Sequence, residues 1–135
     1  MNEPDLTIDP ARLTYPAGHA PATRYAGTYE YTAECFDKIA GSFLFWGPYL
    51  DLDPGVCVVE FLGEVAGQFC VEFIHDSGRM RIKQITVDDF AAPVCLVLRR
   101  AVARFEIRGI KTRSLERLKL DAIRLHYAYR PVEAA

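Results

Sequence analysis

From Gly27 onward, apolar and polar residues alternate with a period of two rather than 3.6. Thr28, Glu30 and Thr32 alternate with Tyr29, Tyr31 and Ala33, and β-branched and aromatic side chains suit a pleated surface. A short loop or turn of helix over 36–41 leads into the apolar run 42–46, which Gly47-Pro48 breaks and 49–52 resumes. Asp53-Pro54-Gly55 is a turn, because proline presets φ and glycine accepts a positive one. Strands are then predicted over 56–63, 68–75, 79–87, 93–99 and 104–109, with Asp76-Ser77-Gly78 as the tight loop of a hairpin. Phe69, Val71 and Phe73 share one face and Gln68, Cys70 and Glu72 the other. In the same way Phe105 and Ile107 are expected to point inward, and Arg104, Glu106 and Arg108 outward.

The closing segment, 118–129, changes phase. Leu118 and Leu120 set one parity, while Ile123, Leu125 and Tyr127 set the other, so an uninterrupted strand would turn half of them into water. This predicts a β-bulge near Asp121-Ala122, and the same change between Ile82 and Ile85 predicts a second bulge or a strand end at Gln84. A helix over 113–124 is the competing reading; the aromatic and β-branched residues that follow favour the strand. Eight or nine short strands with regular turns indicate an all-β fold, a two-sheet antiparallel β-sandwich of jelly-roll type. Four prolines before residue 24 mark 1–23 as an extended arm, with Leu6, Ile8, Leu13 and Tyr15 as anchors. The sandwich is expected to span 24–130, and 131–135 to be a C-terminal tail.

At 135 residues the chain is one domain, long enough to need no staples. No apolar run approaches the ~20 residues of a membrane span. Residues 1–10 are acidic and lack the basic and apolar regions of a secretory signal, so the expected address is the cytoplasm. The net charge of −2 is a remainder: residues 1–78 carry twelve acidic and three basic side chains, residues 79–135 six acidic and thirteen basic. Either the halves neutralise each other across strands, or a basic face meets an anionic partner.

Little in the sequence points to catalysis. His19, His75 and His126 form no HxH or HxE pair of the kind a metal-binding jelly roll needs. Cys57, Cys70 and Cys95 lie in apolar strands and Cys35 follows Glu34; all read as small packed hydrophobes rather than nucleophiles or disulfides. No serine elbow or phosphate-binding glycine loop is present. The carboxylate pairs Asp51/Asp53 and Asp88/Asp89 read as solvated turn residues; Asp51 and Asp53 are the one candidate for calcium, and no other cofactor is expected.

The remaining signal is aromatic. Trp46, Tyr15, Tyr25, Tyr29, Tyr31, Tyr49, Tyr127 and Tyr129 are amphipathic rings, and a sugar has the complementary character, an apolar C–H face edged with hydroxyls. Trp46 and Tyr49, at an interrupted strand end, are candidates for such contacts. Arg79 and Arg81 alternate with apolar residues on a neighbouring strand and complete a predicted binding set of Trp46, Tyr49, Arg79 and Arg81. A pI near 5.9 and the lack of an RNA-binding motif argue against nucleic acid.

The run from Phe43 to Phe61, FLFWGPYLDLDPGVCVVEF, resembles a stretch of the small β-sandwich domains that accompany bacterial glycosyltransferases and polysaccharide-related proteins. The run LKLDAIRL from Leu118 to Leu125 looks like the closing strand of carbohydrate-binding-module jelly rolls. The resemblance implies a glycan-linked binding role, with a glycan or a glycan-processing protein as partner, and transfers no catalytic residue. The leading expectation is therefore a non-catalytic carbohydrate-binding β-sandwich in bacterial surface-polysaccharide synthesis or recognition. The alternatives are an assembly module that forms a homodimer by burying Val58, Ile74 and Val97, and a small metal-dependent sandwich enzyme.

Overall fold

Eleven strands and one 3-10 turn make up the computed structural model, which describes residues 6–14, 23–25, 28–32, 43–76 and 78–131. The expectations for Tyr15, His19, Cys35, Ser77, the 36–41 segment and the end of the chain beyond residue 131 fall outside these residues, as do those for the side chains of Tyr25, Tyr29 and Tyr31. The strands are β1 (Leu6–Ile8), β2 (Thr23–Tyr25), β3 (Thr28–Thr32), β4 (Phe43–Phe45), β5 (Pro48–Leu52) and β6 (Gly55–Ala66). They continue with β7 (Phe69–His75), β8 (Met80–Val87), β9 (Val94–Leu98), β10 (Val102–Lys111) and β11 (Arg117–Tyr129).

All the pairings are antiparallel and build two sheets. One has the order β2-β3-β11-β6-β9, with β1 also on β11; the other has β4-β10-β7-β8, with β5 also on β10. The fold is thus the two-sheet β-sandwich that the alternation predicted. The period-two pattern supplies the inner faces: Phe69, Val71 and Phe73 are fully buried, as are Phe105 and Ile107 of the adjacent β10, Ile107 directly opposite Phe73. Phe73 and Phe105 stack with centroids 6.3 Å apart. Such rings contribute roughly 1.5–3 kcal/mol each by leaving water. Ile8 and Leu13 join the same core, so the proline-punctuated start of the chain contributes apolar side chains to it, and Asp9 caps the intervening turn. No helix reaches from residue 113; 117–129 is strand.

The parity argument located its bulges well. In β11 Leu120 pairs with Gly63 and Ala122 with Leu62, leaving Asp121 as the extra residue. Gly63 is needed opposite it, because a Cβ there would collide with the Lys119 carbonyl. The β7–β8 irregularity falls at Ile82, between the pairs Phe73–Lys83 and Ile74–Arg81, two residues before the expected Gln84.

Three expectations about burial need correction. Glu106 has outward parity but is 2% exposed, because Arg108 lies along the same face and binds its carboxylate. Val58 and Ile74 are buried within the chain, which leaves Val97 as the exposed member of the apolar trio expected to cover a dimer face. Cys95 is exposed, because β9 is an edge strand and its outward parity is uncovered; Cys57 is buried and Cys70 half-buried.

Candidate functional site

Sheet topology brings four connections to one end of the sandwich. They are Asp53-Pro54 after β5, the β7–β8 hairpin, Arg99 to Ala101 between β9 and β10, and the end of β11 at Arg130. Three non-glycine residues with left-handed backbone, Tyr49 (φ 68°), Asp76 (φ 57°) and Arg104 (φ 56°), lie at this end or on the edge leading to it. A side chain in that region costs roughly 1–2 kcal/mol, and such outliers gather where a surface must be shaped for a purpose.

Two of the three are produced by a double bulge between β5 and β10. Glu106 pairs with Pro48 and Phe105 with Leu50, so Tyr49 is extra on β5; Val102 pairs with Leu52, so one of Ala103 and Arg104 is extra on β10. Bulges re-aim side chains. Here they set the Arg104 guanidinium over the Tyr49 ring, 5.0 Å from its centroid. The Arg104 amide donates to Asp51 Oδ1 at 3.2 Å, and the Asp76 amide donates to the Ala103 carbonyl at 2.8 Å, tying the hairpin to the bulge. Ring and carboxylate from the edge strand β5 and guanidinium from β10 are thereby presented together.

At the same end a groove of about 520 Å³ lies between the ends of the two sheets. His75, Met80 and Val102 line it from one sheet, Val97 from the other, and Arg99 and Arg100 from the crossover. Met80 and Val97 are 54% and 63% exposed, an apolar floor beside the two arginines, and Asp76 also lines the groove.

The predicted binding set divides. Tyr49 is exposed at the bulge, and Arg79 is exposed in the hairpin next to Met80 of the groove. Trp46 is half-buried, bridged to Thr14 through backbone and tilted against Phe43 with centroids 5.9 Å apart. Arg81 pairs with Glu72 at 2.8 Å on the outer face of the five-stranded sheet. Arg104, Asp51, Arg99 and Arg100 were not in that set. Val102 and Phe105, three apart and both buried, carried the sign of a β10 bulge that would have pointed to Arg104.

Asp51 and Asp53 take separate partners, the Arg104 amide and Arg130, which pairs with Asp53 at 3.3 Å. Among the described residues no three His, Cys, Asp or Glu side chains gather as a metal site requires. Beside this pair the Tyr127 hydroxyl donates to the Asp53 carbonyl at 2.8 Å, and Arg130 covers the Tyr127 ring at 4.2 Å. Burial pushes the Cys57 thiol beneath them up to about 11, although Arg130 pulls it down; burial likewise raises the Tyr127 phenol.

No protein-family model matches the chain, and no curated protein matches it. Among solved structures it is similar to a chain of the glycosylation-associated protein (Gap123) complex from Streptococcus agalactiae, with a TM-score of 0.59 and 11% identity. That match covers 91% of this chain and 25% of the other, so this chain spans about a quarter of that protein's length. It is also similar to the C-terminal CBM6 of LamC, a marine laminarinase from Zobellia galactanivorans, with a TM-score of 0.52 and 12% identity over 91% of this chain and 99% of that one. The protein therefore has the β-sandwich fold of a carbohydrate-binding module.

Proposed function

We propose that the protein is a non-catalytic carbohydrate-binding module acting in the synthesis or recognition of bacterial surface polysaccharide. The observation that carries this reading is the exposed Tyr49 ring, held at a double bulge with Asp51 and Arg104 beside it. A sugar ring stacks its C–H face on an aromatic and directs hydroxyls to flanking carboxylate and guanidinium groups. Arg79 borders the same end, and Gly47, just before the bulged edge, is held to β10 by the Ile107 amide, which donates to its carbonyl at 2.8 Å. The two fold likenesses add support, since one is to a carbohydrate-binding module and the other to a glycosylation-associated complex.

A glycan array followed by calorimetry tests the reading. Tyr49→Ala is expected to weaken binding of the best array ligand by about tenfold or more with the melting profile little changed. Silence across the array would remove the proposed function, and unchanged affinity in Tyr49→Ala would remove Tyr49 from the site.

A further inference from the structure

We infer that the groove between the sheet ends accepts a saccharide bearing an oxyanion, a carboxylate, sulfate or phosphate, with Arg99 and Arg100 as its ligands. The inference rests on the carbohydrate reading and specifies the class of sugar. Elsewhere on this end and on the neighbouring sheet face the chain pairs its guanidinium groups: Arg81 with Glu72, Arg108 with Glu106 and Arg130 with Asp53. Arg79, Arg99 and Arg100 are exposed and make no ion pair with the described residues; Arg99 and Arg100 line one groove, and Arg79 precedes Met80 of that groove in the hairpin. Asp76 is the one acidic side chain in its lining, so the opening is cationic on balance.

Unpaired like charges at a single place repel one another, and a bound anion relieves that repulsion. Guanidinium groups also match the geometry of carboxylate, sulfate and phosphate, to which they donate two parallel hydrogen bonds. His75 adds a donor-capable ring at the opposite wall, and the exposed Met80 and Val97 side chains give the sugar's C–H surface an apolar floor. Arg104 follows Val102 of the groove along β10, with Tyr49 stacked on it from β5, so the aromatic position and the arginine pair belong to neighbouring stretches of one sheet edge.

The test compares matched neutral and acidic oligosaccharides, the acidic set carrying uronate, sulfate or phosphate, on the wild-type protein and on Arg99→Gln/Arg100→Gln. Inorganic sulfate and phosphate are the sugar-free arms. Acidic ligands are expected to bind about tenfold or more tightly than their neutral partners, with that advantage lost at high salt and lost in the double variant. Both arginines are exposed, so the variant is expected to keep the wild-type melting temperature. Equal affinity for neutral and acidic sugars overturns the inference and leaves the carbohydrate reading standing, as does an acidic preference that survives in the double variant. Inorganic anions binding as tightly as the acidic sugars overturns the saccharide assignment, and binding to no sugar at all overturns both proposals.

Discussion

Arg108 Nε holds the Glu106 carboxylate at 3.0 Å from two positions along the same face of β10, and the two side chains are 24% and 2% exposed. The guanidinium also covers the Phe43 ring at 5.1 Å, and the backbone at Gly78 lies against it closely enough that a Cβ there would come within 2.7 Å of Nη2. One arginine therefore neutralises a buried acid and joins the hairpin tip to the sheet face.

Removing that arginine strands a buried charge. Arg108→Ala is expected to cost about 2–4 kcal/mol in urea unfolding, and adding Glu106→Gln to recover a good part of the loss, since the residue left behind is then neutral. Arg81→Ala is expected to cost less than Arg108→Ala, because the Arg81 side chain is 59% exposed and Glu72, at 12%, keeps more access to water than Glu106 at 2%. Equal losses for the two arginines would show that burial does not set the difference.

The backbone at Tyr49 gives a test independent of any ligand. At an ordinary strand position alanine is more stable than glycine by roughly 0.5–1 kcal/mol. At φ 68° the order reverses, and Tyr49→Gly is expected to be about 1 kcal/mol more stable than Tyr49→Ala, both having lost the Arg104 stacking. Denaturant midpoints of the two variants decide it, and alanine proving the more stable would refute the left-handed assignment.

Cys57 predicts a pH dependence. Its thiol titrates near 11 in the fold against an ordinary 9.0, so above 9 the unfolded chain releases a proton that the native chain keeps. The contribution is complete below pH 9 and is lost as pH rises through 11, so stability falls across that window. Cys57→Ala is expected to flatten the fall between pH 8.5 and about 10.5. Identical slopes in the two proteins would assign the loss to other groups, with Tyr127 next in line.

What a single strand could record was readable from the residues. Alternation in β7 and in the Phe105–Ile107 stretch of β10 gave the inner face, and the parity change at Asp121 gave the bulge, because a strand that buries one face must spend a residue to change phase. Tyr49 could be singled out because Gly47-Pro48 interrupts the run before it.

The rest depended on neighbours far away in sequence. The outward parity of Glu106 and Ile74 was correct as parity, but Arg108 pairs with Glu106, and Ile74 approaches within 3.7 Å of where a Cβ at Gly78 would lie. No local pattern reports what lies over a face. The acidic and basic halves of the chain looked like a single contrast, yet the sandwich distributes it in two ways. Sheet pairing joins Glu72 to Arg81 across adjacent strands, while the crossover at Arg99 to Ala101 leaves Arg99 and Arg100 on the groove with no acid paired to either among the described residues. Sequence alone determined strands, phase and one ring of the candidate site. Tertiary structure decided which charges cancel and which stay exposed, because cancellation depends on distance in space and not on position along the chain.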